Sequence, residues 1–303
     1  TAEKTIDGLS FESKFKDKFR MDIKRENAGE HIWTLFFSND SYVNNGFFKT
    51  ISINRSEKGI IKGLRFWNAE GREAGQGNIH YPVQYLSLKR LSPIGEEKSI
   101  KRDDSNLSGE EKDFINSNYN KILLTSEIIT STELIKSSNK SSLLPSTDEY
   151  GPETISAGQD NISKILTAIL SFKRLKEKYP DHYKGGLLFI DEIDSVLYPA
   201  AQIKLIDFLN SMSSKLQLQI VFTTHSPTII KHMKTDKFLH NSKIIFLRNR
   251  NNTVIYEESI TIDQIIAHLN VEPMINIKNP VPKIRVYTED EEAREFAYSL
   301  LPN

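Results

Sequence analysis

The chain has 303 residues, of which 40 are basic and 40 are acidic, so its formal net charge is zero. A neutral chain is not drawn as a whole to nucleic acid or membranes, although a local basic groove is compatible with it. Cysteine is absent, which excludes disulfides and thiolate metal sites and suits a cytoplasmic protein. No apolar run approaches the ~20 residues of a membrane span, so we predict no membrane association.

The first part of the chain has the pattern of an antiparallel sheet. Short apolar or alternating runs separated by Asn, Gly and Asp are typical of strands joined by turns. These runs cover residues 19–23, 32–37, 47–53 and 60–67. Residues 81–87 form a further predicted strand, which carries Gln84. We therefore expect an antiparallel β subdomain followed by a separate strand.

Residues 96–153 differ in character, because they are charged and rich in serine. Amphipathic pieces at 114–124 and 128–135 precede a serine-rich stretch at 137–142, whose composition is that of a mobile link. No heptad pattern here is long enough for a coiled coil. This composition predicts a short helical insertion.

A long amphipathic helix follows Ser156. Its apolar residues recur at the spacing of one buried helical face, from Ile162 to Phe172. A helix start carries unpaired N–H groups and partial positive charge, so it is suited to contact a phosphate. The residues placed for such a contact are Ser156, Ala157, Gly158 and Gln159. Ser156 is also explained as a plain helix N-cap, and the two interpretations are compatible.

Two apolar strands are each followed by polar side chains. Four apolar residues, 187–190, follow a glycine pair and are directly followed by Asp191 and Glu192, the pattern of a buried strand that delivers carboxylates at its carboxyl end. Open α/β sheets bind their ligands at that edge. A second apolar strand, 218–222, ends just before His225. The acidic pair has a simpler alternative explanation as the start of a solvated loop.

The sequence of the C-terminal part indicates two short strands, a short helix and a linker. Residues 243–247 and 253–256 have the pattern of two strands with a turn at 249–252, and residues 262–269 that of a short helix. Prolines at 273, 280 and 282 then mark a linker. Residues 283–296 follow as a predicted strand, an acidic turn and a helix start.

Three of these stretches, in this order, resemble the ABC-type ATPases, which include transporter motors and SMC-like DNA machines. Residues 155–159 (Ile-Ser-Ala-Gly-Gln) resemble the signature loop of that family, 187–192 its Walker B strand, and 224–226 (Thr-His-Ser) its switch-histidine loop. The resemblance implies an α/β fold with a mixed central sheet, an antiparallel β subdomain and a helical insertion. It also implies ATP and Mg²⁺ as cofactors.

The resemblance assigns a role to each candidate residue. Asp191 would orient magnesium, and Glu192 would act as general base on the hydrolytic water. His225 would hydrogen-bond the γ-phosphate. Gln84 would reach the magnesium and the attacking water, unless it is an ordinary loop glutamine. The signature residues would contact a nucleotide bound by another copy, so a homodimer or higher homo-oligomer is implied.

The G-x-x-x-x-G-K-[ST] phosphate loop of such ATPases does not occur in the 303 residues. We expect the loop to precede Thr1, with residues 1–8 continuing the helix that follows it. The alternative is a degenerate domain that does not bind ATP.

Residues 283–296 resemble the opening of a Toprim domain, in which Glu289 would be catalytic; an acidic helix start is the simpler alternative. An ABC-type ATPase followed by Toprim is the layout of the OLD family, and the chain is also similar to Gabija, Septu and retron-associated defence ATPases. The resemblance implies an ATPase that dimerises on ATP and regulates a nuclease in bacterial anti-phage defence. Its expected partners are nucleic acid, above all DNA, and a nuclease subunit or a retron reverse transcriptase with its RNA.

The leading alternative is an SMC- or RecF-like clamp for DNA repair or chromosome maintenance, without a nuclease; a transporter motor is third. We expect four segments along the chain. Residues 1–95 and 154–272 would form the two parts of the ATPase core, 96–153 the insertion, and 273–303 the linker and the start of the Toprim-like domain.

Overall fold

The computed structural model describes residues 3–12, 24–36, 47–68, 81–97, 99–103, 106–137, 140–250, 253–257 and 260–270, with four further residues between 290 and 295. The chain divides into two compact units, Thr1–His232 and Met233–Asn303. In chain order, the first unit contains β1 (Ile32–Phe36), β2 (Phe47–Glu57), β3 (Ile60–Asn68), β4 (Val83–Leu86), β5 (Lys101–Asp103), α1 (Gly109–Leu123), β6 (Ser131–Lys136), β7 (Ser141–Ser146), α2 (Ala157–Lys178), β8 (Gly186–Ile190), α3 (Pro199–Leu216), β9 (Leu218–Phe222) and α4 (Pro227–His232). The second unit contains β10 (Phe246–Arg250), β11 (Thr253–Glu257) and α5 (Ile262–Leu269).

The predicted antiparallel subdomain is present as the sheet β1-β2-β3. Its register pairs Ile32 with Ile51 and Ile51 with Trp67, and the rings of Trp33 and Phe66 stack with centroids 4.4 Å apart. Such cross-strand apolar and aromatic pairs stabilise antiparallel sheets. The strand predicted at 19–23 lies outside the described residues.

The central sheet has the strand order β4-β8-β9, with β8 in the middle. All three of these strands are parallel, whereas the sequence interpretation expected a mixed sheet; the difference concerns only the strands that the structure describes. In register, Leu86, Ile190 and Phe222 lie side by side at the carboxyl ends. Leu188 and Ile190 are buried, as the apolar run predicted. The residues that directly follow these three strands are therefore brought together at one edge of the sheet.

Helix α2 packs its apolar face against this sheet. Ile162, Ile165, Leu166, Ile169 and Phe172 are all buried, which confirms the predicted helical face. The contact with β8 is close, because a Cβ added at Gly186 would meet the Phe172 ring at 2.4 Å. A residue without a side chain is thus required where strand and helix meet.

The segment 96–153 was predicted to be a helical insertion, and this prediction is only partly correct. Helix α1 is present, with a capping box between Ser108 and Glu111, but the segment also forms the antiparallel sheet β5-β6-β7, with β5 before α1 and the other two strands after it. The piece predicted as amphipathic at 128–135 overlaps β6. Its Thr- and Ile-containing sequence suits a strand, because β-branched side chains lose χ1 freedom in helices. Ser141 and Ser142, expected in a mobile link, are buried in β7.

Residues 3–8 do not continue a helix, so that expectation is wrong for the described part of the N-terminus. The amide of Thr5 donates to the carbonyl of Leu9 at 2.8 Å, and the backbones of Lys4 and Ser10 pair in an isolated antiparallel β-bridge. These contacts define a tight turn. The turn is anchored to the core, because the carboxylate of Asp7 pairs with Lys164 of α2.

In the second unit, β10 and β11 form an antiparallel hairpin. β10 begins at Phe246 rather than at the predicted 243, whereas α5 covers the predicted residues 262–269. Glu289 and the predicted strand before it lie outside the described residues. None of the helices that the structure describes is long and apolar enough to span a membrane.

Candidate active site at the carboxyl ends of the central strands

The strand ends bring Asp191, Glu192 and Thr223 together. The Thr223 hydroxyl donates to Oδ1 of Asp191 at 2.7 Å and accepts a hydrogen bond from the Glu192 amide at 2.7 Å. One side chain at the end of β9 therefore fixes both the carboxylate and the backbone that follow β8. This edge is where parallel sheets bind ligands.

Glu192 has an unusual backbone conformation. Its φ is 45°, in the left-handed region that residues other than Gly, Asn and Asp rarely adopt. The side chain is oriented by Ser195, whose hydroxyl donates to Oε2 of Glu192 at 3.0 Å. Residues held in such sparsely populated conformations cluster at functional sites.

Asp194 connects this loop to the loop that contains His225. Its Oδ1 accepts hydrogen bonds from the Thr224 hydroxyl and, at 3.3 Å, from the main-chain amide of His225. His225 itself is exposed. The predicted base and the predicted histidine therefore belong to two loops that are joined by one carboxylate.

Arg90 lies behind the acidic edge and is only 3% exposed. Its guanidinium donates to the carbonyl oxygen of Glu192 and to the side chain of Asn161, both at 2.8 Å, and to the carbonyls of Leu86 and Ser87. Burial lowers the pKa of Arg90, and the nearby carboxylates, Asp191 first, oppose this shift. A buried cation thus lies directly behind the acidic edge.

Tyr85, on β4, also faces Asp191. Burial raises the pKa of its phenol, and the negative charge of Asp191 adds to the effect. The phenol therefore stays protonated and serves as a hydrogen-bond donor to the carboxylate.

The start of α2 is built as an N-cap. The Ser156 hydroxyl accepts from the Gln159 amide at 3.2 Å, and Oε1 of Gln159 accepts from the Ser156 amide at 2.9 Å. The N-cap interpretation is confirmed by this capping box. Ser156 is exposed, and Ala157 and Gly158 are partly exposed, so this end of the helix is open to a ligand.

Gly158 lies against the loop that follows the acidic pair. A Cβ at this position would come within 2.7 Å of the carbonyl oxygen of Val196. The signature glycine therefore serves close contact between the start of α2 and the loop containing Ser195 and Val196. The side chain of Asn161 reinforces the contact by donating to the Ser195 carbonyl at 3.2 Å.

Substituting Gly158 with alanine should push this helix start away from the loop. We expect Gly158→Ala to lower the free energy of unfolding by about 1–3 kcal/mol, the usual cost of overpacking, and to reduce ATP hydrolysis. Gly109→Ala is the matched control, because a Cβ at this first residue of α1 meets nothing within 4 Å. Urea denaturation and ATPase rates check the prediction; equal stability and activity of both variants would contradict it.

Gln84 makes a contact with α2 that the sequence did not predict. Its side-chain amide donates to the main-chain carbonyl of Ala168 at 3.1 Å, so it lies against α2. Gln84 also sits two residues before the end of β4, where Leu86 is level with Ile190. The side-chain amide of Gln84 thus contacts the helix, and its expected role at the magnesium and the attacking water stays a prediction.

A magnesium ion is compatible with this edge. Among the described residues no group of three or more His, Cys, Asp or Glu side chains could hold a metal on its own. Mg²⁺, however, is commonly bound by one or two carboxylates, with substrate phosphates and water completing its shell. Asp191, partly exposed at the strand end, suits that role.

Sequence patterns missed three residues of this site. Arg90 follows Lys89, and a basic pair is usually solvated surface, so its burial was not foreseen. Thr223 could have been found, because its hydroxyl directly follows the second apolar strand. Asn161 has no distinguishing sequence signal.

The chain is similar to parts of several solved SMC proteins. It matches the SMC head domain with coiled coil and joint from Pyrococcus yayanosii at 14% identity and a TM-score of 0.35, over 53% of this chain and 28% of that one. An SMC ATPase studied for ATP-driven dimerization and DNA-stimulated activation matches at 16% identity and a TM-score of 0.35, over 52% of this chain and 91% of that one. A Pyrococcus furiosus SMC head domain with an extended coiled coil, bound to the C-terminal domain of ScpA, matches at 14% identity and a TM-score of 0.30. The match covers 53% of this chain and 37% of that one.

No curated protein matches the chain. The chain spans less than a third of the Pyrococcus yayanosii protein. The model of the AAA ATPase domain family matches residues 11–230, which include β4, β8, β9 and the start of α2. The chain therefore belongs to the AAA ATPase domain family and is an ATP-hydrolysing enzyme.

Proposed function

We propose that the chain is an ABC-type ATPase module that hydrolyses Mg²⁺-ATP at the edge formed by Asp191, Glu192 and His225. The observation that carries the proposal is the hydrogen bonding of Thr223 to both Asp191 and the Glu192 amide. Asp191 would hold magnesium, which supplies charge neutralisation at the phosphates. Glu192 would take the proton of the attacking water, and His225 would hydrogen-bond the γ-phosphate.

We further propose that two copies enclose the nucleotide. Ser156 lies at an exposed helix start whose amides and partial positive charge suit a phosphate. In this proposal the exposed end of the helix contacts a nucleotide that another copy binds, while Gly158 packs the same helix start on the loop after its own Glu192. ATP binding would then stabilise the dimer by mass action.

The dimer proposal predicts that Ser156→Arg abolishes ATP-dependent association, because a bulky cation replaces the phosphate-facing hydroxyl. Ser108→Arg is the matched control, since Ser108 caps α1 with the same capping box at a helix start that has no proposed ligand. Mass photometry of the full-length protein with Mg²⁺-ATP measures the dimer fraction. Equal association of the two variants would rule out Ser156 as an interface residue.

For the complete protein, we propose that ATP-dependent dimerisation regulates a nuclease that acts on nucleic acid in anti-phage defence. The support is the order of the three ATPase motifs, followed by the acidic stretch around Glu289. The alternative is an SMC- or RecF-like clamp without a nuclease. Assays for DNA cleavage by the full-length protein and its Glu289→Ala variant distinguish the two: cleavage that Glu289→Ala removes favours the nuclease, and DNA binding without cleavage favours the clamp.

A further inference from the structure

Arg90 makes a set of contacts that joins the two halves of the proposed site. Its Nε donates to Oδ1 of Asn161, its Nη1 to the carbonyls of Leu86 and Ser87, and its Nη2 to the carbonyl of Glu192. Arginine has five N–H donors in a fixed planar arrangement. One rigid group therefore contacts the end of β4, the second residue after β8 and the first turns of α2.

The contact with Glu192 falls on the strained residue. The carbonyl that accepts from Arg90 belongs to the residue with φ 45°, whose amide is held from the other side by Thr223. Each end of the left-handed residue is thus held by a side chain from a neighbouring strand or its following turn. An unfavourable conformation persists only where the surroundings fix it in this way.

Asn161 extends the same network to the signature helix. Its Oδ1 accepts from Arg90, and its Nδ2 donates to the carbonyl of Ser195, the residue whose hydroxyl orients the Glu192 carboxylate. Asn161 lies five residues after Ser156, within the first turns of α2, and is fully buried. A shift of the helix start would therefore be transmitted to Arg90, which holds the Glu192 carbonyl, and to Ser195, whose hydroxyl orients the Glu192 carboxylate.

We propose that Arg90 is a positioning residue for ATP hydrolysis, which holds Glu192 in its left-handed conformation and, through Asn161, makes that conformation depend on the position of the signature helix. The inference rests on the proposed role of Glu192 as general base. It adds that nucleotide contact at Ser156 orients the base of the same copy. Occupation of one site of the dimer is thereby coupled to catalysis at the other.

The test compares Arg90→Met, Arg90→Lys and Asn161→Ala with wild type in the full-length protein. We expect Arg90→Met and Asn161→Ala to lower kcat by at least 10-fold, and up to about 100-fold for a displacement near 1 Å. The Kd for Mg²⁺-ATP should change less than two-fold, since neither residue touches the nucleotide. Arg90→Lys should remain impaired, because a lysine does not reproduce the planar set of contacts. Lys89→Met, at an exposed neighbouring position, is the control.

The measured outcomes separate the two proposals. If Glu192→Gln abolishes hydrolysis and the Arg90 or Asn161 variants lose kcat at unchanged Kd, the proposed function and the positioning role are both supported. If Glu192→Gln abolishes hydrolysis but Asn161→Ala and folded Arg90→Met keep wild-type kcat, the positioning role is wrong and the proposed function stands. If Glu192→Gln hydrolyses ATP normally, the proposed function itself fails. Asn161→Ala decides the matter if Arg90→Met does not fold, because it leaves the Arg90 contacts to the three carbonyls in place.

Discussion

Replacing Glu192 with glutamine should reduce ATP hydrolysis by about 100- to 10,000-fold, the range that a general base contributes. Glutamine keeps the size of the side chain and an oxygen that accepts from Ser195, so the loop should retain its shape. It cannot accept the proton of the attacking water. Mg²⁺-ATP binding should persist, and the protein should accumulate as an ATP-bound dimer.

The matched control for this experiment is Glu177→Gln, which removes an exposed carboxylate at the end of α2. Its hydrolysis rate should equal that of wild type. Single-turnover rates, the Kd for Mg²⁺-ATP and molecular mass are measured for all three proteins. A Glu192→Gln variant that turns over ATP at the wild-type rate would show that the base lies elsewhere.

Replacing Asp160 with alanine should lower the free energy of unfolding by about 3–5 kcal/mol, the usual cost of breaking a buried ion pair. Asp160 is fully buried, and its Oδ2 accepts from Lys140 at 2.6 Å and from the amide of Ile94 at 2.9 Å. Burial lowers the pKa of Lys140, and the charge of Asp160 opposes that shift. Without Asp160, a buried ammonium and a buried amide lose their anionic partner.

Asp103→Ala provides the matched control, because it breaks the exposed pair between Lys136 and Asp103. We expect Asp103→Ala to lower the free energy of unfolding by no more than about 1 kcal/mol. Urea denaturation of the four proteins, including the double variant Asp160→Ala with Lys140→Met, measures the difference. The double variant should recover part of the loss, since the unpaired ammonium is gone. Similar losses for Asp160→Ala and Asp103→Ala would contradict this account of the core.

The elements with strong periodicity were predictable from sequence. The apolar face of α2, the buried strand before Asp191 and the helix at 262–269 all follow from spacing alone. The position of the acidic pair at a ligand-binding edge followed from the same strand, because a parallel sheet gathers its carboxyl ends. These features depend on local patterns, which the sequence displays directly.

Contacts between distant segments were not predictable. The guanidinium of Arg90 is buried only because Asn161, 71 positions away, and the Glu192 carbonyl, 102 positions away, supply its acceptors. The contact of Gln84 with α2 was not predictable, because its partner is a main-chain carbonyl, which carries no residue-type signal. Strand β7 was missed because its serines are buried and α2 packs against it, whereas serine-rich patterns otherwise indicate solvated links.

The central claim is that each nucleotide is hydrolysed between Glu192 of one copy and Ser156 of another. It is tested most directly by mixing the Glu192→Gln and Ser156→Arg variants of the full-length protein in equal amounts. Each variant alone has no complete site. A mixed dimer has one, formed by the intact Glu192 of one copy and the intact Ser156 of the other. We predict that the mixture has more ATPase activity than either variant alone, but less than a quarter of the wild-type rate. A quarter is the limit for random pairing, in which half of the pairs are mixed and each has one complete site. The recovery stays below that limit because Ser156→Arg weakens association and removes the Ser156 contact in the copy that carries the intact Glu192. A mixture as inactive as its two components would contradict the shared site.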